Sequence, residues 1–146
     1  MTREQLKDQC EAEFENIQTI RNELFFVVQS GKTTYTVAEL AAIGTFLHNT
    51  YNGIENILKR ILYYKQVELK TDATWHKDLL KAATDAGIIS KELYATLANY
   101  LSFRHFFVHA YSFTLRWEEI KPLVETINKT VESFRASAFT YIENSE

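Results

Sequence analysis

Cysteine occurs once, at Cys10, so the chain can close no internal disulfide and build no cysteine-rich zinc site. Proline also occurs once and glycine four times, too little turn chemistry for the many tight connections of a β-sandwich or barrel. Ala, Leu, Glu and Lys are plentiful instead, which points to an all-α fold. Basic residues are not in excess: 16 Lys and Arg stand against 19 Asp and Glu, a net charge of -3. Global electrostatics therefore give no pull toward nucleic acid, and any such contact has to be local. No run approaches the roughly 18 consecutive apolar residues of a membrane span, which argues against a membrane protein. The opening Met1-Thr-Arg-Glu-Gln-Leu6 is too polar for a secretory signal, and a cytoplasmic location is expected. What is present, 146 residues of which 46% are hydrophobic, suits a single domain over 1–146 with one core.

Apolar periodicity predicts about five helices. Leu6, Cys10, Phe14, Ile17, Leu24 and Val27 form one stripe, giving a helix from about residue 2 to residue 29. Thr36 and Glu39 have the spacing of a capping box that opens a second helix, with Leu40, Ile43, Leu47, Ile54, Leu58 and Ile61 on its face. Asn52-Gly53 could turn the chain, but the apolar phase continues across it, so a continuous helix is expected there, its glycine admitting a neighbour. Trp75, Leu79, Leu80 and Ala83 predict a short third helix that stops at Gly87. Ser90 is a candidate cap for the fourth, whose face is read as Leu93, Leu97, Leu101 and Phe107 or Val108, with fraying between His109 and Thr114. A fifth stripe follows from Ile120 to Tyr141, in which Pro122 is tolerable only near the beginning.

Most of this is core and solvated helix face. The exception is Phe103-Arg104-His105-Phe106-Phe107-Val108-His109-Ala110-Tyr111, which sets ionisable side chains among large apolar ones. On an ideal helix His105 and His109 share a face, while Arg104 and His109 lie roughly 140° apart. Those two converge only if the helix distorts or a second subunit supplies one of them. Three readings stay open. The residues are hydrogen-bonded packing and interface groups, with Tyr111 an amphipathic packing residue. Or the histidines, with His76, hold zinc, although no convincing fourth ligand accompanies them. Or they cleave RNA without a metal: His exchanges a proton with a ribose 2′-OH or a leaving 5′-oxygen near neutral pH, and Arg grips the scissile phosphate through two parallel hydrogen bonds. No carboxylate cluster for Mg²⁺ adjoins them in sequence, and no metal or other cofactor is expected.

Arg104-x4-His109-x-Tyr111, late in an all-helical chain of this size, resembles the R-x4-H-x-Y motif of HEPN ribonuclease toxins of the HepT-like family. Tyr51-Asn-Gly-Ile-Glu-Asn-Ile-Leu-Lys-Arg60 and Trp75-His-Lys-Asp-Leu-Leu80 also resemble stretches of those proteins, and the resemblance covers roughly residues 36–135. It implies a HEPN-type antiparallel helical bundle and a homodimer in which two motifs meet across the interface to form a cleft for single-stranded RNA. Arg104 would bind phosphate, His109 would act in general acid/base transfer, and His105 stands where the family commonly has a supporting polar residue. Tyr111 resembles the tyrosine that a partner nucleotidyltransferase antitoxin of the MNT type modifies with AMP. The implied function is a metal-independent endoribonuclease toxin of a type II toxin-antitoxin system. The alternative is a non-catalytic helical subunit that binds substrate for, or scaffolds, a nucleotidyltransferase.

Phe103, Phe106, Phe107 and Phe113 carry more apolar surface than one stripe needs, so dimerisation is expected through the fourth helix. Residues 59–81 hold Lys59, Arg60, Lys65, Lys70, Lys77 and Lys81 against Glu68, Asp72 and Asp78, a local +3 that could meet an RNA backbone but reads first as solvated helix surface. Trp75, beside His76 and Asp78, is read as an aromatic anchor of a short helix rather than a nucleotide contact, and His48 and Cys10 as packing residues.

Overall fold

The structure is a computed structural model and describes residues 1–69, 72, 74–109 and 115–145. Five helices follow one another: α1 (Arg3–Val27), α2 (Val37–Tyr64), α3 (Trp75–Asp85), α4 (Lys91–His109) and α5 (Trp117–Glu143). No strand occurs among the described residues, and the fold is an all-α bundle whose five helices share one apolar core. No helix is long and apolar enough to cross a membrane.

Local chemistry sets the helix ends. Reciprocal capping boxes open α1 at Thr2 and Gln5 and α2 at Thr36 and Glu39, so two otherwise orphaned backbone donors are satisfied at each start. α1 stops at Val27, two residues before the expected end. α3 ends ahead of Gly87, whose φ of 82° only glycine adopts without strain, and Ser90 Oγ accepts from Leu93 N–H at 3.0 Å to cap α4. Pro122 falls in the second turn of α5 rather than at its first position, and is exposed.

α2 runs unbroken through Asn52-Gly53. A Cβ at Gly53 would sit 2.7 Å from Ile17 Cγ1, so the glycine is where α1 seats against α2. The two helices are antiparallel, with Arg60 reaching Gln9 and Glu13 at the other end. α5 lies antiparallel along α1, held by Arg135 to Glu11, by Lys7 to Glu143, and by Arg21 to Asn128 and Glu132. The Tyr100 hydroxyl donates to the Leu123 carbonyl at 2.7 Å and ties α4 to α5.

The buried face of α4 differs from the expected one. Leu93, Leu97, Tyr100 and Phe103 are buried, while Leu101 is half-buried and Val108 is 50% exposed. A stripe of leucines masked the better phase, in which aromatic residues take the inner positions. Phe103 and Phe107 are largely covered within the protomer, leaving Phe106 as the exposed phenylalanine of α4. The apolar surplus on which the dimer expectation rested is therefore smaller than the sequence suggests. Phe113, Tyr111 and the stretch where α4 was expected to fray lie outside the described residues.

Candidate active site

Arg104 occupies a core-facing position. Steps of four, three, four and three from Leu93 reach Leu97, Tyr100, Arg104 and Phe107, and at 100° per residue Arg104 lies only about 20° from Leu93. This face packs on α2, so the guanidinium is carried into the helix interface rather than out to solvent. Its Nε donates to Asn52 Oδ1 at 3.1 Å. Asn52 Nδ2 in turn approaches His48 Nδ1 at 3.5 Å, the outer edge of a hydrogen bond. The Phe107 ring covers His48 at 5.6 Å between centroids, over Gly44, where a Cβ would meet that ring at 2.6 Å. Burial holds the His48 imidazole below its ordinary pKa, with the Arg104 charge acting in the same direction, so His48 is a neutral support.

Among the described residues the two terminal nitrogens of Arg104 donate no hydrogen bond and no carboxylate pairs with them. That leaves the two-pronged edge of the guanidinium, the edge that fits two phosphate oxygens. Arg104 lines a cleft of about 330 Å³ together with Leu101, Ser102, His105, Thr74, His76 and Lys77. Arg104 and Lys77 bring positive charge to the wall, while carboxylates stand one hydrogen bond behind it, Glu55 on His76 and Asp72 and Asp78 on the Thr74 hydroxyl.

His105 and His109 project from another side of α4. Both are exposed, and their rings pack 4.6 Å apart at 53°. α4 is regular through His109, so the roughly 140° between Arg104 and His109 persists, and one protomer does not bring the two together. His105 touches the Arg104 cleft and His109 adjoins it only through the His105 ring.

No sequence pattern couples the next pair. His76, at the start of α3, places Nδ1 2.9 Å from both carboxylate oxygens of Glu55, whose side chain is 3% exposed. Glu55 continues the α2 stripe of His48 and Asn52 at steps of four and three, so one helix face supports both Arg104 and His76. An acidic residue in the buried phase of α2 was the available signal. Burial, and then the neighbouring Glu55, push the Tyr51 phenol far above its ordinary pKa.

Other candidates serve the fold. Lys59 sits 4.7 Å over the Trp75 ring, which in turn packs 3.6 Å from the His76 ring, so Trp75 anchors α3 to α2. Arg60 is spent on Gln9 and Glu13, leaving Lys65, Lys77 and Lys81 exposed from the basic stretch, with Lys77 on the cleft. Cys10 is buried, and burial pushes its thiol up to about 11, so it is no nucleophile. A larger hollow of about 1200 Å³ between the start of α1 and the end of α2 contains none of the motif residues. Among the described residues no three His, Cys, Asp or Glu side chains gather as they would around a metal ion.

The family model for HepT-like proteins matches residues 42–145, well over half of the chain, and spans His48, Asn52, Glu55, His76, Arg104 and His109. No curated protein and no solved structure matches. With an all-α bundle carrying Arg-x4-His at the end of its fourth helix and a family match of that extent, the chain belongs to the HepT-like family of HEPN-domain proteins.

Proposed function

We propose that this protein is a metal-independent endoribonuclease toxin. Arg104 and His109 act at an interface between two copies of the chain, and a nucleotidyltransferase antitoxin neutralises it by adding AMP to Tyr111. The observation that carries this is the state of Arg104: its Nε is fixed on Asn52 and, among the described residues, its terminal nitrogens are unclaimed beside the cleft that it lines with His76, Lys77 and His105. A guanidinium fixed at Nε and open at its other edge is set to take two phosphate oxygens. In the reaction the ribose 2′-oxygen attacks the adjacent phosphorus as its proton is removed, the bond to the 5′-oxygen breaks, and that oxygen takes a proton. The products end in a 2′,3′-cyclic phosphate and a 5′-hydroxyl. Arg104 stabilises the charge on the phosphorane oxygens and His109 moves a proton. Because a regular α4 keeps His109 away from Arg104 within one protomer, the second copy supplies the missing partner. His105 lines the cleft beside Arg104 and supports the site.

The test is cleavage of a labelled mixed-sequence RNA by purified protein in EDTA. Cyclic phosphate ends are expected from the wild type, and neither Arg104→Ala nor His109→Ala should cleave while melting with the wild type. If both variants fold and still arrest growth, the catalytic assignment falls and the non-catalytic scaffold takes its place.

A further inference from the structure

We propose that His76, held in one tautomer by the buried carboxylate of Glu55, is the general base of the Arg104 cleft, with Glu55 its positioning residue. This rests on the ribonuclease reading above and adds a group to it. Cleavage of RNA by the 2′-hydroxyl needs two proton transfers, one from the 2′-oxygen and one to the 5′-oxygen. The Arg104–His109 pair offers a single imidazole, so a second titratable group is wanted on the phosphate side of the cleft.

His76 meets the geometric requirements. Its Nδ1 lies 2.9 Å from both oxygens of Glu55, and an ionised carboxylate only accepts, so Nδ1 carries the hydrogen. In the neutral ring the basic lone pair then resides on Nε2. That atom has no hydrogen-bond partner among the described residues and is not sealed from solvent, and the ring lines the same cleft as Arg104. A carboxylate that fixes the tautomer of an imidazole and stabilises the imidazolium once it forms is the arrangement that activates histidine bases elsewhere.

A merely structural pair is the weaker account. Burying Glu55 at 3% exposure carries a desolvation cost that an apolar residue at the same site would avoid. Trp75, under the Lys59 ammonium, already fastens α3 to α2 one residue away. His105 is the rival base, since it also lines the cleft, but among the described residues no carboxylate stands behind it and its ring packs on His109.

The proton balance closes. His76 Nε2 takes the 2′-hydroxyl proton, the O2′–P bond forms and the P–O5′ bond breaks, and O5′ receives its proton from the His109 imidazolium. Exchange with water then resets both rings. Among the described residues the charged and titratable groups around His76 are Glu55 and Lys59 on α2, Asp72 ahead of α3, Lys77 and Asp78 on α3, and Arg104 and His105 on α4.

The informative variant is His76→Asn, whose amide N–H stands in for Nδ1–H toward Glu55 but which has no Nε2. On the mixed-sequence RNA it should fold, lose roughly 10²- to 10⁴-fold in kcat/KM chiefly through kcat, and recover part of the loss in imidazole buffer. Its rate should also keep rising with pH where the wild type levels off, because hydroxide replaces the base. A structural role moves neither the imidazole rescue nor the pH slope. Glu55→Gln should lose roughly tenfold or more, since it keeps the volume but not the charge that stabilises the imidazolium. If Arg104→Ala is dead while His76→Asn stays within about threefold of wild type, or imidazole does nothing for it, His76 is not the base and the ribonuclease reading stands. If the wild type yields no cyclic phosphate ends, or Arg104→Ala cleaves as well as it does, both fall together.

Discussion

Two arginines sit in helix interfaces of this bundle and are used in opposite ways. Arg21, between α1 and α5, is 8% exposed in its side chain and spends its terminal nitrogens on Gln18, Asn128 and Glu132, while its Nε is buried without a partner. Arg104, between α4 and α2, spends Nε on Asn52 and leaves its terminal nitrogens unclaimed among the described residues. The one whose terminal nitrogens are spent closes an interface, and the other presents a fork to an open cleft. The atoms left over, more than the degree of burial, separate an arginine that holds a fold from one that holds an anion.

The sharpest way to break this contrast is to exchange the readouts. Arg104→Ala should lower RNA cleavage roughly 10²- to 10³-fold or more with little change in Tm, and Arg104→Lys should fail to restore it, because a point charge replaces a fork. Steady-state cleavage alongside thermal melting checks both. Next in size, Tyr111→Phe should stay active yet escape neutralisation on co-expression with a nucleotidyltransferase antitoxin; intact mass should show AMP on the wild type and none on the variant. Full neutralisation of the variant would mean direct masking instead.

Arg21→Ala should show the reverse of Arg104→Ala: unchanged cleavage and a loss of about 1–3 kcal/mol, read from denaturant midpoints. Smallest of all is an acid effect remote from the cleft. Lys32, and then the Thr36 backbone N–H, hold the Glu39 carboxyl below its usual range. A depressed folded pKa adds stability above the unfolded value of roughly 4.3 and loses it as pH falls through the folded one. Glu39→Gln should therefore flatten the acid limb of the stability curve slightly and leave neutral-pH cleavage untouched.

Helix number, the Thr36–Glu39 capping box, the Gly87 stop and the Ser90 cap were legible because each depends on residues a few positions apart. The inner face of α4 was less so. Counting leucines favoured Leu101, whereas counting phase favours Tyr100 and exposes Arg104 as a charged residue in an apolar stripe. Sequence placed Arg104, His105 and His109 together by adjacency but gave Asn52 and Glu55 no part in the site, since they come from α2, about fifty residues upstream. Glu55 and His76 are 21 residues apart on two helices, and no local pattern couples them. A cleft is a property of crossings between helices, and short-range periodicity describes each helix alone.

Gly53 lies beside Asn52 and two residues before Glu55, with Ile17 pressed where its side chain would begin. Heredity has to treat the two positions as one. A methyl group at 53 would push α2 off α1 and carry Asn52 and Glu55 with it, so a mutation that touches nothing in the cleft would silence it. Removing Cγ1 and Cδ1 by Ile17→Ala opens room for that methyl, and Ile17→Ala should emerge as a suppressor of Gly53→Ala in a growth selection. Across related chains the pair is expected to drift in step, a small residue at one position licensing a larger one at the other.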